Sequence, residues 1–248
     1  MKLIKKWGLL ALLSSAAFSV NVQAQQDVAA EQRQAIEKTL TPLLNGVSGP
    51  LDIRPTPIAN LFLVKIGLDV IYLSGDGNYL LQGQMMDLKN GVNLTSAVVN
   101  DERKGVIAQI PPTSMLVYPA NPKAPQQSTI TVFTDIDCPY CRKFHNEIPA
   151  LNEAGVTVRY LAFPRSGVNT PSYSKAVSVW CASNPQQAMD KVMKGETLAA
   201  KSCDNPVQAH MGYVRDLEIN GTPNIILEDG ALLPGYVEAQ KLIPRIYN

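Results

Sequence analysis

Two cysteines, Cys138 and Cys141, are separated by Pro139 and Tyr140 and follow an apolar, β-branched run at residues 130–134. The run predicts a buried strand, and the polar spacing after Cys141 predicts a helix. A strand and a turn, followed by a helix that opens on Cys-x-x-Cys, form the context in which this spacing indicates a redox dithiol. The sequence therefore predicts thiol–disulfide exchange at this turn.

Cys138 is expected to lie exposed at the N-terminus of that helix, where free amide N–H groups and the helix dipole favour negative charge. Such a position lowers the pKa of a thiol, and the thiolate is the nucleophile in disulfide exchange. Pro139 suits the first helical turn because no N–H is required there. Cys141 would lie one turn further along and be less exposed, placed to attack a mixed disulfide on Cys138 and release the substrate.

The other two cysteines, Cys181 and Cys203, have no Cys-x-x-Cys neighbour. We expect a structural disulfide between them, which for a loop of this length would stabilise the fold by about 3 kcal/mol. Zinc is the alternative, but one Cys-x-x-Cys, two isolated cysteines and two histidines fit the spacing of zinc sites poorly. We predict neither a metal nor another cofactor.

Three polar residues near the dithiol have roles that the sequence leaves open: Asp135, Asp137 and His145. His145 could tune or deprotonate a thiol, or it could be an ordinary packed or solvated helix residue. A carboxylate beside Cys138 would oppose thiolate formation, whereas a half-buried carboxylate could shuttle a proton to or from Cys141.

The elements that must position these residues follow one another from residue 128 onward. We predict strands at 130–134, 156–163, 224–228 and 231–233, helices at 138–153 and 237–247, and a helical insert at about 171–215. This β-α-β…β-β-α series is the thioredoxin arrangement with helices inserted in its middle.

The segment before these elements predicts a second, smaller unit. A helix at 27–44 and a Gly- and Pro-rich break at 46–57 precede strands at 58–66, 68–74 and 79–88, and Asp76-Gly77 is a hairpin signal. A unit of about 60 residues buries little surface on its own. Its apolar strands would leave an exposed sheet edge that tends to pair with other chains. Pairing with a second copy would cover that edge; the alternative is packing on the C-terminal domain of the same chain.

The predicted fold class is therefore α+β. It comprises a small antiparallel-sheet (cystatin-like) dimerisation domain at residues 25–90, a linker helix within 91–111 and a thioredoxin-like domain with a helical insertion at 112–248. Pro111 ends the linker helix because proline cannot continue it.

Thr222 and Pro223 directly precede one of the last predicted strands. The proline could be a simple strand breaker. Given its place in a thioredoxin-like order, we predict instead a cis peptide bond that packs across from the Cys-x-x-Cys turn, although cis bonds are uncommon in general. The backbone of Thr222 would then pair with an extended substrate segment by β-strand addition.

The N-terminus predicts export. Three lysines in the first six residues precede an apolar run at 9–20, and small residues at 22–24 offer a cleavage site. We predict a signal peptide at residues 1–24 and a mature start near Gln25, since the run is shorter than the roughly 20 residues of a membrane span. With four cysteines, export indicates an oxidising compartment, most simply the periplasm.

The charge of the 248-residue chain excludes one class of partner. Removing residues 1–24 removes three lysines and no acidic residue, so Lys+Arg falls from 22 to 19 against 21 Asp+Glu, and the formal charge falls from +1 to −2. A protein with this balance has no strongly basic face for nucleic acid.

Several segments together carry a family resemblance. They are residues 79–88, TVFTDIDCPYCRKFH at 131–145, VRYLAFPR at 158–165, Trp180-Cys181-Ala182, Ser202-Cys203-Asp204, Gly221-Thr222-Pro223 and Leu233-Pro234-Gly235-Tyr236. On these segments the chain resembles the DsbC/DsbG family of thiol:disulfide interchange proteins, and most of all its DsbC members.

The resemblance implies a V-shaped homodimer that is joined through the N-terminal sheets, with two thioredoxin-like arms around an uncharged cleft. It also implies a periplasmic isomerase and chaperone of misoxidised proteins, kept reduced by the membrane protein DsbD. By this likeness Cys138 is the attacking thiol and Cys141 the resolving thiol. Thr222-Pro223 is the cis loop, and Cys181–Cys203 matches the structural disulfide of DsbC.

The chain departs from the family between its active cysteines. DsbC proteins commonly carry Gly-Tyr there, whereas this chain has Pro139-Tyr140, as DsbG proteins and glutaredoxins do. A rigid proline changes the turn and its amide donors, and hence the pKa of the thiolate and the reduction potential. A DsbG-like reductase and chaperone that protects oxidised single cysteines, a dithiol oxidase and a holdase without redox activity therefore remain alternatives.

Overall fold

The computed structural model of the protein describes residues 28–44 and 49–247. The predicted signal peptide and its cleavage site lie outside these ranges. Over the described ranges, no helix combines the length and the apolar character needed to cross a membrane.

The N-terminal part is one helix packed on a four-stranded antiparallel sheet, with strand order β1-β2-β3-β4. Its elements are α1 (Ala30–Leu40), β1 (Asp52–Pro55), β2 (Leu61–Ile66), β3 (Asp69–Ser74) and β4 (Leu80–Gln82). Ile36 and Leu40 of the helix are buried in one cluster with Phe62, Val64 and Leu73 of the sheet. The predicted helix thus covers one face of the sheet.

The hairpin at Asp76-Gly77 joins β3 to β4, as its sequence predicts. Gly77 has a φ of +73°, and a Cβ there would lie 2.7 Å from the carbonyl oxygen of Ala35. Glycine is required at this point because it alone allows both the left-handed backbone and the close approach of α1.

Two predictions in this part are wrong. The predicted break at 46–57 contains β1, a short edge strand that pairs with β2 and ends on Pro55, a position where proline is tolerated. The predicted strand at 79–88 is cut short at Gly83, after which β5 (Met86–Asp87) pairs with β6 (Val92–Asn93).

The predicted linker helix is present as α2 (Leu94–Gln109), which Asn93 caps by accepting a hydrogen bond from the N–H of Ser96. At its start, the Thr95 hydroxyl is hydrogen-bonded to Tyr72 of the N-terminal sheet. Further along, a Cβ on Gly230 would lie 2.0 Å from the carbonyl oxygen of Asn100, so α2 also packs closely on the C-terminal part. The helix is therefore fixed against both parts of the chain.

The C-terminal part is a five-stranded sheet of order β11-β10-β8-β9-β7 with helices around it. Its strands are β7 (Leu116–Tyr118), β8 (Ser128–Thr134), β9 (Val156–Ala162), β10 (Asn224–Ile226) and β11 (Leu232–Pro234). Its helices are α3 (Pro139–His145), α4 (Ile148–Glu153), α5 (Pro171–Trp180), α6 (Pro185–Met193), α7 (Val207–Asp216) and α8 (Ala239–Tyr247). Strands β8 and β9 are parallel, and the other pairings are antiparallel. The α+β prediction is confirmed.

Side chains on the central strand β8 alternate between two cores, as strand geometry requires. Ile130 and Val132 lie in the core that also contains Cys141 and Phe144 of α3. Phe133 lies in the other core, on the side of α2 and α7.

One further prediction is wrong, and one strand was not predicted. The single helix predicted at 138–153 is divided into α3 and α4, because Pro149 has no N–H to bond one turn back and its ring would clash there. Strand β7 was not predicted; its three residues are too few to show an alternation.

The helical insert comprises α5, α6 and α7. Within it, His210 of α7 is fully buried. Its Nδ1 accepts a hydrogen bond from the N–H of Ala162 at 3.2 Å, and its Nε2 lies 3.2 Å from the hydroxyl of Ser114. His210 therefore joins the insert to the central sheet and to the turn that follows the linker.

Candidate active site

Cys138 is the N-cap residue of α3, with Pro139 as the first helical residue. The peptide bond between Thr222 and Pro223 is cis. The thiol of Cys138 donates a hydrogen bond to the carbonyl oxygen of Thr222 at 3.3 Å, so the cis loop and the dithiol turn are in direct contact.

The expectation of an exposed Cys138 is wrong, since the residue is only 2% exposed. The loop that covers it lies 84 residues away along the chain. The residues near Cys138 in the sequence therefore contain no information about its burial by the loop at Thr222.

The pKa of the Cys138 thiol nevertheless lies below its ordinary value. Burial raises this pKa, but the Thr222 side chain beside the sulfur and the backbone N–H groups of Cys141 and Tyr140 lower it by more. Hydrogen bonds to the charged form favour ionisation. Cys138 is therefore prepared to act as a thiolate.

Cys141 has the opposite character. It is fully buried in the first turn of α3, and its sulfur accepts a hydrogen bond from the N–H of Asp135 at 3.4 Å. Burial raises the pKa of the Cys141 thiol to about 12. The dithiol therefore combines one readily ionised sulfur with one sulfur that holds its proton.

Asp135 positions the turn before the cysteines. Its buried carboxylate accepts hydrogen bonds from the Ser172 hydroxyl at 2.8 Å, the N–H of Asp137 at 3.0 Å, and the backbone N–H and Nε of Arg165 at 3.1 and 3.2 Å. These four bonds engage both carboxylate oxygens. Asp135 thus fastens the turn to α5 and to the loop after β9.

Asp137, directly before Cys138, is partly exposed and paired with cations. Its Oδ1 lies 2.7 Å from Nζ of Lys175 and 4.0 Å from a guanidinium nitrogen of Arg142. The negative charge that would oppose a thiolate on Cys138 is therefore balanced locally.

His145 lies one turn beyond Cys141 and is buried. Its Nδ1 lies 3.3 Å from the hydroxyl of Tyr160, its Nε2 lies 3.1 Å from Oδ1 of Asp190, and Tyr118 donates to the same oxygen at 2.7 Å. Burial lowers the pKa of His145, and the Asp190 carboxylate opposes this only in part. The group connects α3 to α6 and to two strands of the sheet.

The remaining cysteines, Cys181 and Cys203, are bonded to each other. The bond joins the end of α5 to the segment before α7. Sulfurs joined in this way are not available as zinc ligands.

Sequence reasoning did not identify Thr134, Arg165, Lys175 or Asp190 as parts of this region. Each lies in a different element, and the partners of the last three are 30 to 45 residues away in the chain. Thr134 carries one signal, because it ends the strand that leads to the dithiol.

Two protein families match the chain over most of its length. A disulfide bond isomerase protein N-terminal domain matches residues 24–96, and a thioredoxin-like domain matches residues 120–246. The first range contains the N-terminal helix and its sheet, and the second contains the C-terminal sheet without β7, together with its helices.

Curated relatives match across both parts. The thiol:disulfide interchange protein DsbC of Escherichia coli (strain K12) is 37% identical over 234 residues, 93% of this chain and 91% of that protein. The DsbC of Dickeya dadantii is 35% identical over 91% of each chain. The DsbC of Haemophilus influenzae is 31% identical over 77% of this chain and 81% of its own.

Proposed function

Because the chain belongs to the DsbC family and is a thiol:disulfide oxidoreductase, we propose that Cys138 and Cys141 carry out its exchange reaction on misoxidised secreted proteins. The observation that supports this most directly is the contrast between the two thiols. The pKa of Cys138 is lowered beside the cis loop, whereas that of Cys141 is raised to about 12 in the core.

The Cys138 thiolate attacks one sulfur of a substrate disulfide, and the other substrate sulfur leaves as a thiolate. The resulting mixed disulfide has two fates. A second substrate thiolate displaces Cys138, which isomerises the substrate, or Cys141 loses its proton and attacks Cys138, which reduces the substrate. The high pKa of Cys141 slows the second route and gives the substrate time to isomerise.

The substrate in this proposal is an extended polypeptide. The backbone of Thr222, at the cis loop, pairs with this polypeptide by β-strand addition. The hydrogen bonds involve the substrate's main chain, so substrates of many sequences can bind. Tyr140 between the two cysteines is 57% exposed and offers an apolar surface at the point of entry.

The active form is a homodimer joined through the N-terminal domain of residues 25–90, with residues 91–111 as linker and 112–248 as catalytic domain. Support comes from the edge strand β4, all three residues of which are exposed, and from Leu80 and Leu81 within it, which are 50% and 55% exposed. An apolar edge of this kind is stabilised by pairing with a second sheet. The paired arms hold unfolded clients, which gives chaperone activity.

The family resemblance supports two further parts of the proposal. The protein is exported to the periplasm by the signal peptide of residues 1–24, which is cleaved. There the membrane reductase DsbD returns the Cys138–Cys141 disulfide to the dithiol after each reductive turnover.

The test uses serine variants and two assays, insulin reduction and refolding of a scrambled disulfide protein. Cys138→Ser removes both activities, whereas Cys141→Ser still attacks and accumulates mixed disulfides with its substrates. Substantial activity in Cys138→Ser contradicts the thiol mechanism. Full suppression of aggregation by a Cys138→Ser/Cys141→Ser variant, with a wild-type protein silent in both redox assays, would identify a holdase instead.

A further inference from the structure

Two hydroxyl groups next to the dithiol are buried without a hydrogen-bond partner among the described residues. They are the Oγ1 atoms of Thr134 and Thr222. Thr134 is 3% exposed. Native proteins rarely leave a buried hydroxyl unpaired, so such a group calls for a functional explanation.

The position of Thr134 directs its side chain towards the resolving cysteine. It is the last residue of β8, and Ile130 and Val132, four and two residues earlier, face the core that contains Cys141. Because side chains on a strand alternate, Thr134 faces the same core. The N–H of the next residue, Asp135, donates to the sulfur of Cys141 at 3.4 Å.

The cis loop brings the second hydroxyl to the same place. The carbonyl oxygen of Thr222 lies 3.3 Å from the sulfur of Cys138. Although burial raises the pKa of Cys141, the hydroxyls of Thr134 and Thr222 both act to lower it. The two hydroxyls therefore approach the buried dithiol from two different elements.

A sulfur changes as an acceptor when it ionises. A neutral thiol accepts hydrogen bonds weakly, whereas a thiolate accepts them strongly. A hydroxyl that is unpaired beside the neutral thiol therefore gains its strong bond when the sulfur becomes charged. An interaction that strengthens as the reaction proceeds accelerates that reaction.

We propose that Thr134 is a further residue of the exchange reaction, whose hydroxyl donates a hydrogen bond to the sulfur of Cys141 as that sulfur becomes a thiolate. The inference rests on the proposed roles of Cys138 and Cys141. It assigns Thr134 to the resolving step alone.

In that step the thiol of Cys141 loses its proton, and its sulfur forms a bond with the sulfur of Cys138. The bond between Cys138 and the substrate sulfur breaks, and the substrate leaves as a thiolate that takes up a proton. The protein dithiol is oxidised by two electrons and the substrate disulfide is reduced by two.

The experiment mixes the reduced protein with an equimolar amount of 5,5′-dithiobis(2-nitrobenzoate) in a stopped-flow spectrophotometer. Attack by Cys138 releases the first coloured thiolate, and resolution by Cys141 releases the second, so the two steps are recorded separately. The variants are Thr134→Val, which removes the hydroxyl, and Thr134→Ser, which keeps it. Thr131→Val is the matched control, since Thr131 is equally buried on the same strand but three residues away, on the opposite face.

We expect Thr134→Val to slow the second phase at pH 7 by about tenfold or more, the usual effect of losing a hydrogen bond to a charged group. The pH dependence of the second-phase rate shifts to higher pH in this variant, and the rate of the first phase is unchanged. Thr134→Ser and Thr131→Val behave as the wild type does in both phases.

An unchanged second phase in Thr134→Val overturns the inference, as does equal slowing in Thr134→Ser or Thr131→Val. The proposed function fails differently. A wild-type protein without a first phase, or a Cys138→Ser variant that keeps it, contradicts the role of Cys138 itself.

Discussion

Nζ of Lys175 lies 2.7 Å from Oδ1 of Asp137, the residue directly before Cys138. The pair joins helix α5 of the insert to the turn that carries Cys138, the proposed attacking thiol. It places a positive charge against a carboxylate that would oppose a thiolate on Cys138.

Lys175→Met therefore leaves the Asp137 carboxylate less well balanced and raises the pKa of Cys138. Because both side chains are partly exposed, solvent screens the interaction, and we expect a rise of less than about one pKa unit. The pH dependence of iodoacetamide alkylation at Cys138 measures this shift. Lys123→Met, at an exposed lysine of a loop, is the control.

A second substitution isolates the cause of that shift. Asp137→Asn in the Lys175→Met background removes the unbalanced charge, so the pKa of Cys138 returns to or below the wild-type value. If the double variant keeps the raised pKa, the ion pair is not what protects the thiolate.

His210 makes the stability of the fold depend on pH. Burial lowers the pKa of His210 to about 4 in the folded protein, whereas an unfolded histidine titrates near 6.5. As the pH falls from 6.5 to 4, the unfolded chain binds a proton that the folded chain does not. Stability therefore decreases across this window, by about 3 kcal/mol, and the effect levels off below pH 4.

Urea unfolding at pH 7.0, 5.5 and 4.5 checks this dependence. His210→Gln should be less stable at pH 7.0 but should lose less stability on acidification. His145, whose pKa is also lowered by burial, adds to the dependence in both proteins and so does not affect their difference. Equal slopes for the two proteins would show that His210 does not titrate in this way.

The exposed edge strand β4 predicts how the dimer can be broken. In Leu80→Glu/Leu81→Glu, two charges replace apolar side chains at the proposed interface, and we expect a monomer by light scattering. Small disulfides are still reduced, because the dithiol is distant in the chain, while isomerisation of a scrambled protein drops several-fold.

Ile58→Glu is the matched control for this double variant. Ile58 is 55% exposed, as Leu81 is, but it lies before β2, beside the opposite edge of the same sheet. The control should remain dimeric. A dimeric Leu80→Glu/Leu81→Glu protein would place the interface elsewhere.

The bond between Cys181 and Cys203 should contribute to stability and not to catalysis. Their separation of 22 residues gives a loop whose closure is worth about 3 kcal/mol. Cys181→Ala/Cys203→Ala should lower the free energy of unfolding by about that amount, while the rate of attack by Cys138 is unchanged. A large loss of attack rate in a folded variant would assign this disulfide a part in the reaction.

The parts of the molecule that the sequence predicts correctly are those with local signals. The dithiol turn follows a β-branched run, the linker helix has a capping asparagine and a proline stop, and Asp76-Gly77 marks a hairpin. In each case the residues that determine the structure are neighbours in the chain.

The parts that the sequence does not predict depend on distant contacts. Strands β1 and β7 are short edge strands that are extended because they pair with β2 and β9. Thr222 lies against Cys138, and Asp190 of the insert is hydrogen-bonded to the ring of the buried His145. No local pattern around Cys138 or His145 contains this information.

The burial of Cys138 has a consequence for quality control. A cysteine that is 2% exposed and lies beside a loop is approached most easily by a narrow, flexible segment of polypeptide. A disulfide held rigidly in a folded protein fits such an approach less easily than one in a flexible, misassembled chain. We therefore expect the narrow approach to Cys138 to favour reaction with disulfides of incompletely folded chains.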